Sequence, residues 1–236
     1  MDKDVAIIIP SYNDAENIPL VVKGIRLVSP LAKIIIVDDS NEKQKKKLRN
    51  FVQKQKGVSL IERVGKGGRG SAVLDGFKAA LKDKNIQYVF EMDADTSHTG
   101  KDLPKFYENK KTADLIIGSR YLKESKVVNW PKKRLYQSML INSVLLNALF
   151  HLGIRDYTNG YRMYNRKAAK FLIGTTLHEK GFLLLSESAY KLKSAGYSLA
   201  EVPITFTDRK YGESSVQPKD LITSLYGAFK IRFIYK

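Results

Sequence analysis

Continuous apolar runs rich in Ile and Val recur along the first half of the chain. They occupy residues 5–9, 33–37, 58–61, a stretch that ends at Asp93, and residues 113–117. Runs of this kind are typical of strands that are buried on both faces, as in a parallel sheet. Between the runs, apolar residues recur at helical spacing, as in Ile18, Val21, Val22 and Ile25.

This alternation predicts helices over residues 15–28, 42–55, 71–82 and 103–111, each between two strands. Strands that alternate with helices predict an α/β fold with a doubly wound, mostly parallel twisted sheet flanked by helices. We expect its strand–helix–strand connections to be right-handed.

The pattern changes after residue 120. A basic loop (123–134) precedes a long uncharged stretch (135–154), and the chain ends in an apolar, aromatic tail (221–235). The uncharged stretch is long enough to cross a bilayer. It contains Gln137, Asn142 and Asn147, so we predict a helix that is buried or lies on a membrane surface. We predict one domain over 1–217, large enough to be a complete catalytic domain, followed by a C-terminal amphipathic helix or tail over 218–236.

Composition narrows the class of protein. The 236 residues are 43% hydrophobic, which is ample for a core. Cysteine is absent, which excludes a disulfide scaffold and a thiolate metal site and is compatible with a cytosolic location. No signal-peptide pattern precedes the first strand.

Lys and Arg outnumber Asp and Glu by 41 to 24, which gives a formal charge of +17. A field of this sign attracts nucleic acid, an anionic membrane surface or phosphate-bearing substrates. A general bias towards lysine for solubility is the competing interpretation, and the lysines of 43–56 are typical of a solvated helix face.

Acidic residues close three of the predicted strands. They are Asp14, the pair Asp38 and Asp39, and the pair Asp93 and Asp95. In an open α/β sheet these strand ends share one edge, where ligands bind. Carboxylates after the first two strands suit hydrogen bonds to a base and to ribose hydroxyls. Asp93 and Asp95 suit a hard divalent cation that is shared with ligand phosphates. Solvated acids that follow strands are the alternative for each cluster.

Two further features concern anions. The loop 65–70 is rich in glycine, but it lacks the Walker spacing, and a turn that caps a helix explains it as well as phosphate contact does. Arg120, Arg134, Arg162 and Arg209 each lie in or beside turn-like sequence. Arginine binds phosphate in bidentate fashion, so the four predict a second anionic group, although each alone is also typical of a surface arginine.

Short motifs in a fixed order add a resemblance. They are Pro10-Ser11-Tyr12-Asn13-Asp14, Val37-Asp38-Asp39-Ser40, Met92-Asp93-Ala94-Asp95, Gly118-Ser119-Arg120-Tyr121, Trp130 with Arg134 and Ser138, Asp156-Tyr157-Thr158-Asn159-Gly160-Tyr161-Arg162, and Asp208-Arg209-Lys210-Tyr211-Gly212-Glu213-Ser214. Together they resemble family-2 glycosyltransferases of the GT-A fold, and among these the dolichol-phosphate mannose synthases and other polyprenol-phosphate glycosyltransferases.

The resemblance implies roles for individual residues. Donor nucleotide contacts are implied for Pro10, Tyr12, Asp14, Val37, Asp38, Gly70 and Asp93. Mg²⁺ or Mn²⁺ would be held by Asp93, Asp95 and Ser97. The acceptor phosphate would be held by Arg120, Arg134 and Ser138, with Arg209 near the phosphates. The residues implied to carry catalysis are Asp95, Arg120, Arg134 and Arg209.

The implied reaction is the inverting transfer of one hexose, with mannose from GDP-mannose favoured, to a dolichyl or polyprenyl phosphate. The enzyme would act as a peripheral protein at the cytosolic face of a membrane, and a small membrane-anchoring subunit is a further candidate partner. The chemistry of the acceptor is consistent with this reaction, because a phosphate acceptor is already ionised and needs no general base. Glu187 is a candidate for orienting an arginine or a sugar hydroxyl, not for acting as that base.

Four positions depart from the family pattern, one of them near Gly100, where the family commonly has Pro. Arg69 stands where the family usually has Leu, Asp14 where it has Glu, and Ser215 where it has Lys. Alternatives therefore stay open at this point: another donor such as UDP-glucose or UDP-GlcNAc, a non-lipid acceptor, or a relative that binds nucleotide without turnover. A basic nucleic-acid-binding protein is the alternative of another class, but the chain carries no recognised motif for it, and we expect no nucleic-acid partner.

Overall fold

A twisted central sheet organises the chain in the computed structural model, which describes residues 2–208 and 218–235, and of 218–225 only the backbone. The strands are β1 Val5–Ser11, β2 Lys33–Asp38, β3 Val58–Glu62, β4 Tyr88–Glu91, β5 Leu115–Ser119, β6 Lys126–Val128, β7 Arg162–Asn165, β8 Leu199–Pro203 and β9 Thr205–Thr207. The helices are α1 Ile18–Val28, α2 Glu42–Val52, α3 Arg69–Ala80, α4 Leu103–Asn109, α5 Lys132–Met139, α6 Asn147–Phe150, α7 Arg166–Gly174, α8 Leu183–Ser194 and α9 Pro218–Phe233.

The main sheet has the strand order β3-β2-β1-β4-β7-β5-β8. All neighbours pair in parallel except β7, which runs antiparallel to both β4 and β5. Strands β6 and β9 form a separate parallel pair. The predicted α/β class with a mostly parallel sheet is confirmed, and the antiparallel β7 is the part that the strand–helix rhythm did not indicate.

The β1 sequence explains why helices cover both faces of the sheet. Ile7, Ile8 and Ile9 are all fully buried, and their side chains alternate between the faces. Ile8 packs in the core under α3, α7 and α8, whereas Ile7 and Ile9 pack in the core under α1, α2 and α4. A strand that is buried on both faces has no polar position until its end, so its polar residues collect at the carboxyl edge.

The predicted strand that ends at Asp93 stops two residues earlier. Strand β4 closes at Glu91, so Asp93 and Asp95 lie in the loop that follows. This loop, and not the pleat of the strand, fixes the direction of the two carboxylates. Thr96 in the same loop has φ 65°, a left-handed conformation that is strained for a β-branched residue.

The uncharged stretch forms one continuous helical segment from α5 to α6 through a π-helical stretch, Leu140–Leu146, and it ends at His151 with φ 52°. One side of it is buried through Asn142, Leu146 and Phe150. The opposite side exposes Tyr136, Leu140, Val144 and Leu145. The predicted burial thus holds for one side of this helix, while the alternative of contact with a membrane surface stays a prediction for the other.

Helix α9 packs on the body of the domain. Ala228 and Ile231 are fully buried, and Gly227 lies so close to α8 that a Cβ there would be 2.4 Å from Leu183 Cδ2. Its outward side exposes Tyr226, Phe229 and Phe233. Among the described residues, no helix combines the length and apolar character needed to cross a bilayer.

Candidate active site

An open cleft of about 480 Å³ lies beyond the carboxyl ends of β1, β2 and β4. Five of the residues implied by the resemblance line it: Pro10, Tyr12, Asp14, Asp93 and Asp95. Three more charged residues line it. Asp39 belongs to the second acidic cluster that the sequence indicated as suited to nucleoside hydroxyls, whereas Lys66 and Arg69 had no predicted ligand role. Lys66 places its Nζ 4.1 Å from the centroid of the Tyr12 ring, so the two together form one wall.

Asp38 and Asp39 have separate roles. Asp38 is fully buried and accepts hydrogen bonds from the hydroxyls of Ser11 and Ser40, both at 2.7 Å. Val37 and Gly70 are buried as well. A buried side chain cannot touch a ligand without rearrangement, so the position of Asp38 supports a role in holding the β1 and β2 ends together. The direct donor contacts implied for these three residues stay predictions, and Asp39 is the member of the pair that lines the cleft.

Asp39 organises the glycine loop. Its carboxylate accepts hydrogen bonds from Nε and Nη2 of Arg63, both at 2.6 Å. It also accepts hydrogen bonds from the backbone N–H groups of Gly67 and Gly68, at 3.0 and 3.2 Å. Gly68, with φ 88°, is the N-cap of α3. The amides that could have held a phosphate therefore bind an internal carboxylate, which favours the structural interpretation of the loop.

Arg69 reaches from the first turn of α3 to the acid that ends β4 and to an acid in the loop after it. Its Nε donates to Oδ1 of Asp93 at 2.8 Å, its Nη1 to Glu91 at 2.7 Å and its Nη2 to the carbonyl of Gly160 at 3.1 Å. Burial alone would lower the pKa of Arg69, but Asp93 and Glu91 raise it, so the guanidinium stays charged. The departure from the family pattern at this position was the sequence signal, but it did not identify the partners.

The loop after β4 offers oxygen ligands. Oδ1 of Asp95 accepts the backbone N–H of Ser97 at 3.1 Å, and the buried Ser97 Oγ has no hydrogen-bond partner within the described ranges. Within the same ranges, no group of three or more His, Cys, Asp or Glu residues could hold a metal ion by itself. Two carboxylates and an unsatisfied hydroxyl fit a hard cation that takes its remaining oxygens from a ligand.

Arg120 belongs to a second cluster, which is built around Asp156. Its Nε and Nη2 each donate to the fully buried Asp156 at 2.8 Å, and Nη2 also donates to Thr158. Burial alone would lower the pKa of Arg120, but the Asp156 carboxylate raises it, with a smaller contribution from Asp93. Arg120 is therefore a permanent cation close to the acids of the cleft.

Arg134 and Ser138 join this cluster through aromatic rings. The guanidinium carbons of Arg134 and Arg120 lie 4.2 and 5.6 Å from the Trp130 ring centroid. Arg134 forms an ion pair with Asp208 at 3.0 Å, and Ser138 Oγ lies 2.5 Å from the hydroxyl of Tyr121. The structure thus brings together all three residues implied to bind the acceptor phosphate. The buried Trp130 Nε1 has no hydrogen-bond partner in the described part of the chain, so it offers a further donor.

A chain of hydrogen bonds joins the two regions. Asp156 accepts the backbone N–H of Asn159 at 3.1 Å, Asn159 Oδ1 lies 2.8 Å from His98 Nε2, and His98 Nδ1 lies 3.3 Å from the backbone N–H of Asp93. His98 is buried and stacks on Tyr161 with ring centroids 4.6 Å apart. The acidic cleft and the arginine cluster therefore form one connected site.

The structure does not place the remaining candidate residues of the sequence analysis in the cleft or in the arginine cluster. The prediction that Arg162 binds an anion is wrong, because Arg162 is fully buried and donates to the carbonyls of Tyr157, Asn159 and Leu185. Glu187 is also fully buried and accepts the backbone N–H groups of His178 and Glu179. Arg209 and Ser215 lie outside the described residues.

Comparisons with known proteins place the chain in a family. The sequence model of glycosyl transferase family 2 matches residues 6–172. The chain is 33% identical over 223 residues to the polyprenol monophosphomannose synthase of Mycolicibacterium smegmatis. The aligned region covers 93% of this chain and 83% of that protein. The chain is 32% identical over 210 residues to the undecaprenyl-phosphate mannosyltransferase of Micrococcus luteus, which covers 89% of this chain and 86% of that protein.

Solved structures show the same fold at low identity. Glucosyl-3-phosphoglycerate synthase from Mycobacterium tuberculosis, in complex with Mn²⁺, uridine diphosphate and phosphoglyceric acid, superposes with a TM-score of 0.66 at 15% identity, covering 97% of this chain and 78% of that chain. S. aureus TarS 1–349, in complex with UDP-GlcNAc, superposes with a TM-score of 0.63 at 15% identity, covering 99% and 68%. These neighbours confirm the expected α/β fold of the GT-A type.

Proposed function

Because the chain belongs to glycosyl transferase family 2, we propose that it is a mannosyltransferase that transfers one mannose, with GDP-mannose as the favoured donor, to a polyprenyl phosphate. One observation carries this proposal: an acidic, nucleotide-sized cleft is hydrogen-bonded through His98 and Asp156 to a cluster of two arginines and a serine. The names of the two curated relatives support the same acceptor and the same sugar.

The acceptor cluster suits an ionised phosphate. Arg120, Arg134 and Ser138 would hold the phosphate, since arginine binds phosphate oxygens in bidentate fashion. An oxygen of that phosphate would attack the anomeric carbon of the sugar while the bond from that carbon to the donor diphosphate breaks, and the diphosphate would leave with the electron pair. No proton has to be removed from the acceptor, so a general base is unnecessary. Burial raises the pKa of Tyr121 to about 12, so its hydroxyl stays protonated beside Ser138.

The donor cleft suits a nucleoside diphosphate sugar. Pro10, Tyr12 and Asp14 would contact the nucleoside, while Asp39 holds the wall formed by the glycine loop. Asp93, Asp95 and Ser97 would hold Mg²⁺ or Mn²⁺, which, when bound, would offset the negative charge of the leaving diphosphate. Backbone and side-chain bonds hold the loop residues in place, with Asp95 accepting from Ser97 and Asp93 from Arg69.

Transfer to lipid tests the proposal directly. We expect radiolabel from GDP-mannose to appear in the organic phase when a short polyprenyl phosphate and Mn²⁺ are present, because both substrates then occupy the connected site. Parallel reactions with UDP-glucose, without metal and without acceptor serve as controls. If neither donor labelled the lipid while nucleotide still bound, this acceptor class would be excluded.

A lipid acceptor requires contact with a membrane, and two helices carry outward apolar residues. They are Tyr136, Leu140 and Val144 on the α5–α6 segment and Tyr226, Phe229 and Phe233 on α9. Helix α9 packs against α6, so the two segments are neighbours. Lys230 and Arg232 lie on α9, and Lys132 and Lys133 open α5. We infer that these residues form a surface that binds an anionic membrane, with or without the anchoring subunit that the resemblance suggested.

Removing two aromatic side chains from this surface is expected to weaken vesicle binding. For the double variant Phe229→Ser and Phe233→Ser, we expect the partition coefficient onto phosphatidylcholine–phosphatidylglycerol vesicles to fall roughly tenfold, since each buried aromatic side chain contributes apolar area. Sedimentation with sucrose-loaded vesicles measures it. The matched control is Leu20→Ser with Leu27→Ser on α1, whose side chains are more exposed, at 62% and 76% against 49% and 51%, but lie over the other face of the sheet. Equal partition of both double variants would contradict the assignment.

A further inference from the structure

Arg69 is a charged residue of the cleft that donates a hydrogen bond to Asp93, one of the two acids expected to hold a divalent cation, and another to the buried Glu91. We propose that Arg69 and Glu91 act as a pair of positioning residues that set the affinity of the cleft for that cation. Arg69 holds Oδ1 of Asp93, and Glu91 limits how much of the charge of Arg69 the cleft experiences. This inference rests on the proposed donor site and adds a control on its metal affinity.

The bonding pattern shows that Arg69 is shared between two acids of different exposure. Glu91 is almost fully buried, and its second oxygen accepts the hydroxyl of Tyr164 at 2.6 Å. Asp93 lines the cleft, and its side chain is 23% exposed. The buried acid therefore has no role at the cleft surface, but it does offset a guanidinium that lies there.

The surrounding residues hold the guanidinium of Arg69 in place. The third bond of Arg69, to the carbonyl of Gly160, ties it to the segment that leads into β7. Gly160 is needed at that point, because a Cβ there would lie 2.1 Å from Arg69 Nη2 and 3.2 Å from Asp93 Oδ1. Backbone, glycine and two carboxylates thus converge on one guanidinium.

Two effects of Arg69 on a bound cation oppose each other. Its positive charge repels a cation at Asp93 and Asp95, while its bond orients the Asp93 carboxylate. A unit charge within a few ångströms changes binding by roughly tenfold or more at protein-like dielectric. Orienting one short side chain contributes less than that. The electrostatic effect should therefore decide the direction, and removing Arg69 should tighten metal binding.

A series of charge variants tests this without any turnover. Arg69→Met makes the cluster more negative by one unit, Glu91→Gln makes it less negative by one unit, and the double variant restores the original charge. We expect Mn²⁺ affinity to rise roughly tenfold in the first, to fall roughly tenfold in the second and to return within about threefold of the wild type in the third. Titration of Mn²⁺ alone, followed by electron paramagnetic resonance of the free ion, measures each affinity.

Controls separate charge from folding. Arg49→Met on α2 removes an equal charge from an exposed pair with Glu42 and Glu62, and we expect it to leave Mn²⁺ affinity unchanged. If Arg69→Met fails to fold because Glu91 is left buried, Glu91→Gln and the double variant still decide the order. A loss of affinity in all three variants, equal affinities in all, or no Mn²⁺ binding by any of them would overturn the proposal. Transfer activity is measured separately, so metal binding in the expected order without label in lipid would count against the proposed function alone.

Discussion

Asp95→Asn is expected to reduce transfer to polyprenyl phosphate by at least about 100-fold, with little change in stability. Asp95 lines the cleft, and its Oδ1 accepts the backbone N–H of Ser97. Asparagine keeps an oxygen that can accept this bond, so the loop should keep its shape. The amide carries no charge, so the cleft loses one of the two carboxylates that would hold the divalent cation beside the donor diphosphate.

The loss should appear mainly in kcat and in the Mn²⁺ concentration that gives half-maximal activity. Charge develops on the diphosphate as the bond to the sugar breaks, so weaker compensation raises the barrier more than it weakens donor binding. Initial rates measured over a range of Mn²⁺ concentrations separate the two. Asp75→Asn on α3 is the control, because it removes one carboxylate whose bonds are to Arg63 and Lys78 outside the cleft. Full activity of Asp95→Asn at wild-type Mn²⁺ levels would exclude Asp95 from the site.

The sequence predicted the sheet and the edge that carries the site, because both follow from local pattern. Five apolar runs between helices specify parallel strands, and acids that follow such strands must collect at the carboxyl edge. Which acid of a neighbouring pair faces the cleft depends on register. Ser11 on β1 lies opposite Asp38 on β2, so the Ser11 hydroxyl binds Asp38 and leaves Asp39 on the cleft wall. Register between strands is a tertiary property, so the dipeptide alone could not reveal it.

Contacts between segments that are distant in the chain could not be predicted from the sequence either. Arg69 was recognisable as unusual, but its partners Glu91, Asp93 and Gly160 come from two later segments that only the fold brings together. Strand β7 has four residues and enters between β4 and β5 after the long helical segment. No local periodicity distinguishes so short a strand from a loop. The same insertion buries Arg162, which in sequence resembled a turn arginine that was available to bind phosphate.

Asp156→Asn is expected to be the most destabilising of the polar substitutions at the site, at about 3–5 kcal/mol. Asp156 is fully buried and accepts five hydrogen bonds, three from Arg120 and one each from the backbone N–H groups of Thr158 and Asn159. An asparagine cannot accept all of them, and it leaves the Arg120 guanidinium buried without an opposite charge. For a chain of this length, the melting temperature should fall by about 10 °C.

The neighbouring ion pair provides a matched comparison. Asp208 binds Arg134 in the same cluster, but the two side chains are 28% and 39% exposed. Exposed pairs contribute little, so Asp208→Asn should cost less than about 1 kcal/mol. Thermal melts of the two variants, recorded under the same conditions, test the contrast between buried and exposed pairing within one site.

Combining Asp156→Asn with Arg120→Met distinguishes an unpaired buried charge from a general packing defect. Removing both charges eliminates the uncompensated guanidinium, so the double variant should recover part of the stability that Asp156→Asn loses. It should not recover transfer, because Arg120 is one of the two arginines proposed to bind the acceptor phosphate. A double variant as unstable as the sum of the single variants would show that Asp156 acts through its backbone contacts to Thr158 and Asn159, and that the charge of Arg120 contributes nothing to the loss.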